Sequence, residues 1–192
     1  KAAGELKERL VSLLGDEGGE IWASTFHSTC ARILRQYGER LGYTAHFTIY
    51  DTDDSKRLMK DCQNALGIED KVLPCKSILS AISRAKDSLI SPQEFLESAG
   101  RDIRLSTIGK AYEMYQRRLR EADAMDFDDL IVSTVELFRQ CPDVLEYFQN
   151  KFRYIMVDEY QDTNLQQYRA EGKNALDGKR GGREDHSPYG FE

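Results

Sequence analysis

With 192 residues, 33 acidic and 27 basic side chains and a net charge of −6, the chain has room for one ordinary domain or parts of two, and its acidic balance supplies no general attraction for nucleic acid. Any such contact must then come from a local surface. Cys30, Cys62, Cys75 and Cys141 lie far apart with no Cys-x-x-Cys pair, which argues against a zinc site or disulfide framework and for reduced, mostly buried thiols in a cytoplasmic protein.

No apolar run approaches the length of a membrane span, and the charged start Lys1-Ala2-Ala3-Gly4-Glu5 is no signal peptide. Ala3, Leu6, Leu10 and Leu13 recur at helical spacing, predicting an amphipathic helix that ends near Gly15. The chain opens inside that pattern, so upstream sequence is expected. After a loop, Ile21 to Thr25 reads as a short strand running into Phe26-His27-Ser28 and a helix with Cys30, Leu34, Tyr37 and Leu41 on one face, closed by Gly42. A strand-to-helix junction of small polar residues presents N–H groups and hydroxyls to phosphates. The plainer reading makes Thr25 or Ser28 a helix cap and His27 a surface residue.

From Thr44 to Asp123 the pattern is helical apart from a brief extended piece, His46 to Tyr50. Asp51 to Asp54 supply capping oxygens for a helix carrying Leu58, Met59, Cys62 and Leu66, stopped by Gly67. Pro74 opens a helix with Ile78, Ala81, Ile82, Ala85 and Leu89 inward, and Ser91-Pro92-Gln93-Glu94 is a capping box for a short helix ending at Gly100. A long helix follows, with Ile108, Ala111, Tyr112, Tyr115, Leu119 and Ala122 on its inner face. These four stripes predict a bundle. The basic residues Lys56, Arg57, Lys60, Lys76, Arg84 and Lys86 fit either contacts to duplex DNA or a solvated helix face. Asp126 is the expected N-cap of a helix with Phe127, Leu130, Ile131, Thr134, Val135 and Phe138 as its core stripe. The acids clustered there suit the positive end of the helix dipole better than a metal site or an acid–base pair.

After a helix opened by Pro142, the run Tyr154 to Val157 is short, apolar and without polar alternation, and it ends in Asp158 and Glu159. It reads as a strand buried on both faces, with carboxylates at the end where open α/β sheets bind ligands. Asp158 then suits the Mg²⁺ of a Mg-nucleotide, and Glu159 the water that attacks a terminal phosphate. A strand simply running out into solvent is the bland alternative.

The string Val157-Asp158-Glu159-Tyr160-Gln161-Asp162-Thr163-Asn164 resembles motif II, the Walker B segment, of superfamily 1 DNA helicases of the UvrD/PcrA/Rep type. Thr25-Phe26-His27-Ser28 matches that family's motif Ib, and Lys1 to Arg9 resembles its Thr-Asn-Lys-Ala-Ala segment from the third position onward. Asp126-Phe127-Asp128-Asp129-Leu130 also matches a family string just upstream of the Walker B strand. The resemblance covers Lys1 to about Tyr168 and implies an α/β, predominantly helical fold: a partial RecA-like parallel sheet of P-loop NTPase type with an inserted α-helical bundle. It divides the chain into residues 1–43 of the first RecA-like domain, a helical subdomain over 44–124, and a return to the first domain over 125–170. Residues 171–192, rich in Gly and charge, are expected to be disordered or a non-native tail.

The resemblance further implies an ATP-dependent 3′-to-5′ DNA helicase of repair or replication, using Mg²⁺ and ATP. Asp158 would hold the metal, Glu159 would be the general base, and Gln161 and Asp162 would be linked to the nucleotide. Thr25, Phe26, His27, Ser28, Lys1 and Ala3 would line the track for single-stranded DNA, and single/double-strand junctions would be partners. No Gly-x-x-x-x-Gly-Lys-Ser/Thr loop occurs in the 192 residues, nor do motif III and the second RecA-like domain. These residues alone are therefore expected to bind no cofactor and to be inactive, with exposed sheet edges favouring self-association. Two readings compete: a Mg²⁺-dependent nuclease using Asp158, Glu159 and Asp162, and a helical interaction module with the acidic strand as scaffold.

Overall fold

Caps and glycines divide the chain into helices in the computed structural model, which describes residues 2–16 and 21–156. Helix α1 spans Ala2–Leu14, and Gly15 follows at a φ of 64°. Thr25 caps α2, Phe26–Tyr37. The chain then tightens into a 3₁₀ turn, Gly38–Leu41, closed by Gly42 at a φ of 81°. The break comes at Gly38, where helix propensity is low and the carbonyl accepts from the N–H of Tyr43 at 3.1 Å. Leu41 thus lies outside the helix to which its spacing assigned it.

Helix α3, Thr52–Leu66, starts where the Asp51 carboxylate accepts from the N–H groups of Asp53 and Asp54 at 2.8 and 2.9 Å. Helix α4, Cys75–Asp87, follows Pro74. The Ser91/Glu94 capping box opens α5, Pro92–Ala99, and Asp102 caps α6, Ile103–Glu121. Asp126 and Asp129 form the box that opens α7, Phe127–Gln140, and α8 spans Pro142–Lys151. Thr25, Asp51, Ser91, Asp102 and Asp126 each satisfy amides that a helix cannot bond internally, which is why short polar side chains mark those starts, whereas α4 and α8 open without a side-chain cap.

The helices close around two hydrophobic cores. The first takes Met59 and Cys62 from α3, Ile78 and Ile82 from α4, and Ile108, Tyr112, Tyr115 and Leu119 from α6. The second takes Cys30, Ile33 and Leu34 from α2, Leu130, Ile131 and Phe138 from α7, and Val144 and Phe148 from α8. A parallel ribbon runs between them: β1, Thr48–Ile49, pairs with β2, Ala124–Met125, in the register Thr48 to Ala124 and Ile49 to Met125. Successive strand residues point to opposite faces, so Ala124 enters the first core and Met125 the second. The architecture is α/β and predominantly helical, with a small parallel sheet and a helical bundle, as expected.

The strands did not fall where the sequence placed them. Residues 21–25 and 153–156 carry no strand, and Tyr154 and Met156 are 92% and 94% exposed. A strand is held by a cross-strand ladder and covered faces, and among the described residues neither segment has them. Trp22 instead packs edge-on against Phe152 and Phe148, at ring distances of 5.0 and 6.3 Å. On α1, Leu6 and Leu13 stand largely in solvent. Residues 17–20 and everything from Val157 onward lie outside the described residues.

Candidate nucleic-acid interface

The start of α2 is where the candidate side chains come together. Thr25 is extended, at φ −72° and ψ 160°, and its hydroxyl accepts from the N–H of Ser28 at 3.3 Å. The hydroxyls of Thr25 and Ser28 are 2.9 Å apart, and those of Ser24 and Thr29 2.6 Å. Burial of Cys30, Ile33 and Leu34 fixes this helix on the second core, leaving Thr25 and Ser28 exposed and Phe26 and His27 half-buried. The capping reading of Thr25 is therefore correct. Capping does not use up the site: the first turn of a helix carries partial positive charge and N–H groups that favour an anion.

Phe127 was expected in the core and is instead 51% exposed. It occupies the first position of α7, where the cap turns the chain, and its ring meets that of His27 edge-to-face at 5.7 Å. A helical stripe cannot reveal that orientation, because the first turn of a helix need not face the core that its later turns face. Beside this face, Arg32 lies over the Trp22 ring at 3.9 Å and Lys151 at 4.9 Å from the same ring.

Ala3 lies in α1; Lys1, Asp158, Glu159, Gln161 and Asp162 lie outside the described residues. Among the described residues no group of three or more His, Cys, Asp or Glu could hold a metal ion.

The six basic residues of the bundle separate into two kinds. Lys56, Arg57, Lys60, Lys76 and Arg84 lie at least partly in solvent. Lys56 pairs with Asp53 at 3.1 Å, as on a solvated helix face. Lys76 and Arg84 join Arg104, Ser77 and Ser80 in lining a groove of about 420 Å³ between α4 and α6. Lys86 is the exception: it is 1% exposed, with its ammonium 2.7 Å from Asp126 and 2.8 Å from Asp129. It cannot touch DNA. Burial works against its charge, yet the Asp129 and Asp126 carboxylates outweigh that and hold Lys86 above the usual ammonium range. Burial pushes the Asp129 carboxyl up to about 6, whereas at Asp126 the Lys86 charge prevails over burial and the carboxyl is held low.

The sequence model of the UvrD/REP helicase N-terminal domain matches residues 1–171, so the chain belongs to that family. The ATP-dependent DNA helicase PcrA of Staphylococcus aureus is 46% identical over 168 residues, covering 88% of this chain and 23% of that protein. Its namesake in Staphylococcus epidermidis is 45% identical over the same length. The chain thus spans about a quarter of the length of these curated relatives. No described helix is long and apolar enough to cross a membrane.

Proposed function

We propose that this chain is part of an ATP-dependent 3′-to-5′ DNA helicase acting in repair or replication, and that the start of α2 is its contact with single-stranded DNA. The observation that carries the reading is the exposed pair of hydroxyls, Thr25 and Ser28, at a helix N-terminus with His27 and half-exposed Phe127 alongside. Helix amides and hydroxyls suit backbone phosphates, and aromatic faces suit unstacked bases. The groove of Lys76, Arg84 and Arg104 offers a second, basic surface for the duplex side of a junction. In this reading residues 1–43 and 125–170 belong to the first RecA-like domain and 44–124 to its helical insertion.

Asp158 offers the hard oxygen that Mg²⁺ prefers, and Glu159, one residue on, would accept the proton of the attacking water; Gln161 and Asp162 would adjoin the nucleotide. Mg-ATP, when bound, supplies the phosphoryl group and its charge neutralisation. These 192 residues hold no phosphate-loop sequence and would not turn over ATP alone. The intact enzyme would work in the cytoplasm, and the isolated chain would self-associate through exposed sheet edges.

The test is a titration of labelled oligothymidine by fluorescence anisotropy, with the helicase that carries this chain. Ser28→Asp, which sets a carboxylate against the phosphates, should weaken binding at least tenfold, and Phe127→Ala should weaken it less. Unchanged affinity in Ser28→Asp would reject this face as the interface.

A further inference from the structure

Where the two cores meet, α4 of the first presses Lys86 onto the acidic start of α7, which belongs to the second. The bonds there leave no carboxylate oxygen idle. Asp126 Oδ1 accepts from the N–H of Asp129 at 2.9 Å, and Asp126 Oδ2 accepts from Lys86 at 2.7 Å and the Tyr115 hydroxyl at 3.1 Å. Asp129 Oδ1 accepts from the Gln116 side chain at 2.9 Å and lies 2.8 Å from the Lys86 ammonium, while Asp129 Oδ2 accepts from the N–H of Asp126 at 3.2 Å. Tyr115 and Gln116 lie on α6, so three helices converge on two carboxylates.

Such a cluster adds little net stability, because desolvating three charges offsets most of their attraction. Its effect is directional. A hydrophobic contact tolerates sliding, whereas any rotation of the first core against the second would leave a buried charge without its partner. We propose that Lys86, Asp126 and Asp129 form an orientation pin that fixes the helical bundle on the start of α7 in one arrangement. The other links between the cores include the two-residue ribbon β1–β2, Arg120 over the Tyr43 ring at 4.2 Å and the Thr44 N–H on Asp123 Oδ1 at 3.0 Å. These lie at the surface or span two residues, and buried charge is what they lack, so they resist rotation less once the pin is removed.

The experiment is a spin-label distance measurement between Lys60→Cys on α3 and Glu146→Cys on α8, both exposed. The four native cysteines are buried, so labelling is confined to the added sites. The variant is Lys86→Met with Asp126→Asn and Asp129→Asn: methionine keeps the volume, and asparagine keeps both caps of α7. One narrow distance population is expected for the native triad. The triple variant should keep its helicity by circular dichroism and show a broadened or second population. A narrow, unmoved distribution with only a lowered unfolding midpoint would overturn the proposal, since the cluster would then be an ordinary stabilising contact. Loss of helicity would overturn it too, since the triad would then be needed for folding itself.

Discussion

Lys86→Met alone breaks the buried cluster without neutralising what remains. Asp126 and Asp129, 13% and 4% exposed at their side chains, would be left with hydrogen bonds but no cation. Removing one partner of a buried pair costs roughly 3–5 kcal/mol, a large share of the ~5–15 kcal/mol that holds a domain folded. The loss should depend on pH in a determined direction. Asp129 is pushed up to about 6 with Lys86 present, and removing the cation raises it further. A carboxyl whose folded pKa exceeds its unfolded value contributes full stability below the unfolded pKa and loses it as pH rises through the folded one. The variant should therefore recover part of its deficit between pH 7 and pH 5, at about 1.4 kcal/mol for each tenfold difference in proton affinity between the folded and unfolded chain. Urea unfolding followed by the fluorescence of Trp22, the single tryptophan, reads this directly. A deficit below about 1 kcal/mol, or one equal at both pH values, would refute the buried-charge argument.

Gly109 sits in α6 where an added Cβ would meet Leu96 Cδ2 at 2.6 Å and Phe95 Cδ1 at 3.3 Å. Gly109→Ala should destabilise by roughly 1–3 kcal/mol through overpacking against α5, and a raised urea midpoint would contradict that. Burial raises Tyr115 and Tyr112, and the carboxylates raise Lys86. All three groups favour their protonated forms in the fold, so stability should hold below about pH 10 and fall as pH climbs above it, since the unfolded chain then gives up protons that the fold retains. Melting temperatures flat from pH 9 to 11 would contradict it. Thr25→Ala should cost about 1 kcal/mol by uncapping α2, while Thr25→Ser should restore most of it; equal melting temperatures for the two would deny Thr25 its capping role.

Local chemistry made much of this fold legible. Asp51, Ser91 with Glu94, and Asp126 announce helix starts through the short-range bonds they form, and those bonds need no knowledge of distant residues. Half of the ribbon was legible, since Thr48–Ile49 falls within the extended piece read over His46 to Tyr50; Ala124–Met125 was not, because two residues are too short for alternation to show and form a strand only through their partner. Lys86 was misassigned because lysine is rarely buried unless paired, and its partners lie 40 residues or more along the chain. At the candidate interface the Thr25-Phe26-His27-Ser28 string could be read directly, but the neighbouring Phe127 follows from how α2 packs against α7.

The central claim, that this chain is part of a DNA-driven ATPase, is tested most directly by one substitution. In a longer protein that joins this chain to a phosphate-binding loop and a second RecA-like domain, steady-state ATP hydrolysis is measured with and without single-stranded DNA, for the native sequence and for Glu159→Gln. Oriented electrostatics and the general base act on a step that binding alone does not promote. The native enzyme should show DNA-stimulated hydrolysis, and Glu159→Gln should lose it by about a thousandfold or more while retaining ATP binding. Turnover persisting in Glu159→Gln, or hydrolysis indifferent to DNA in the native enzyme, would contradict the account.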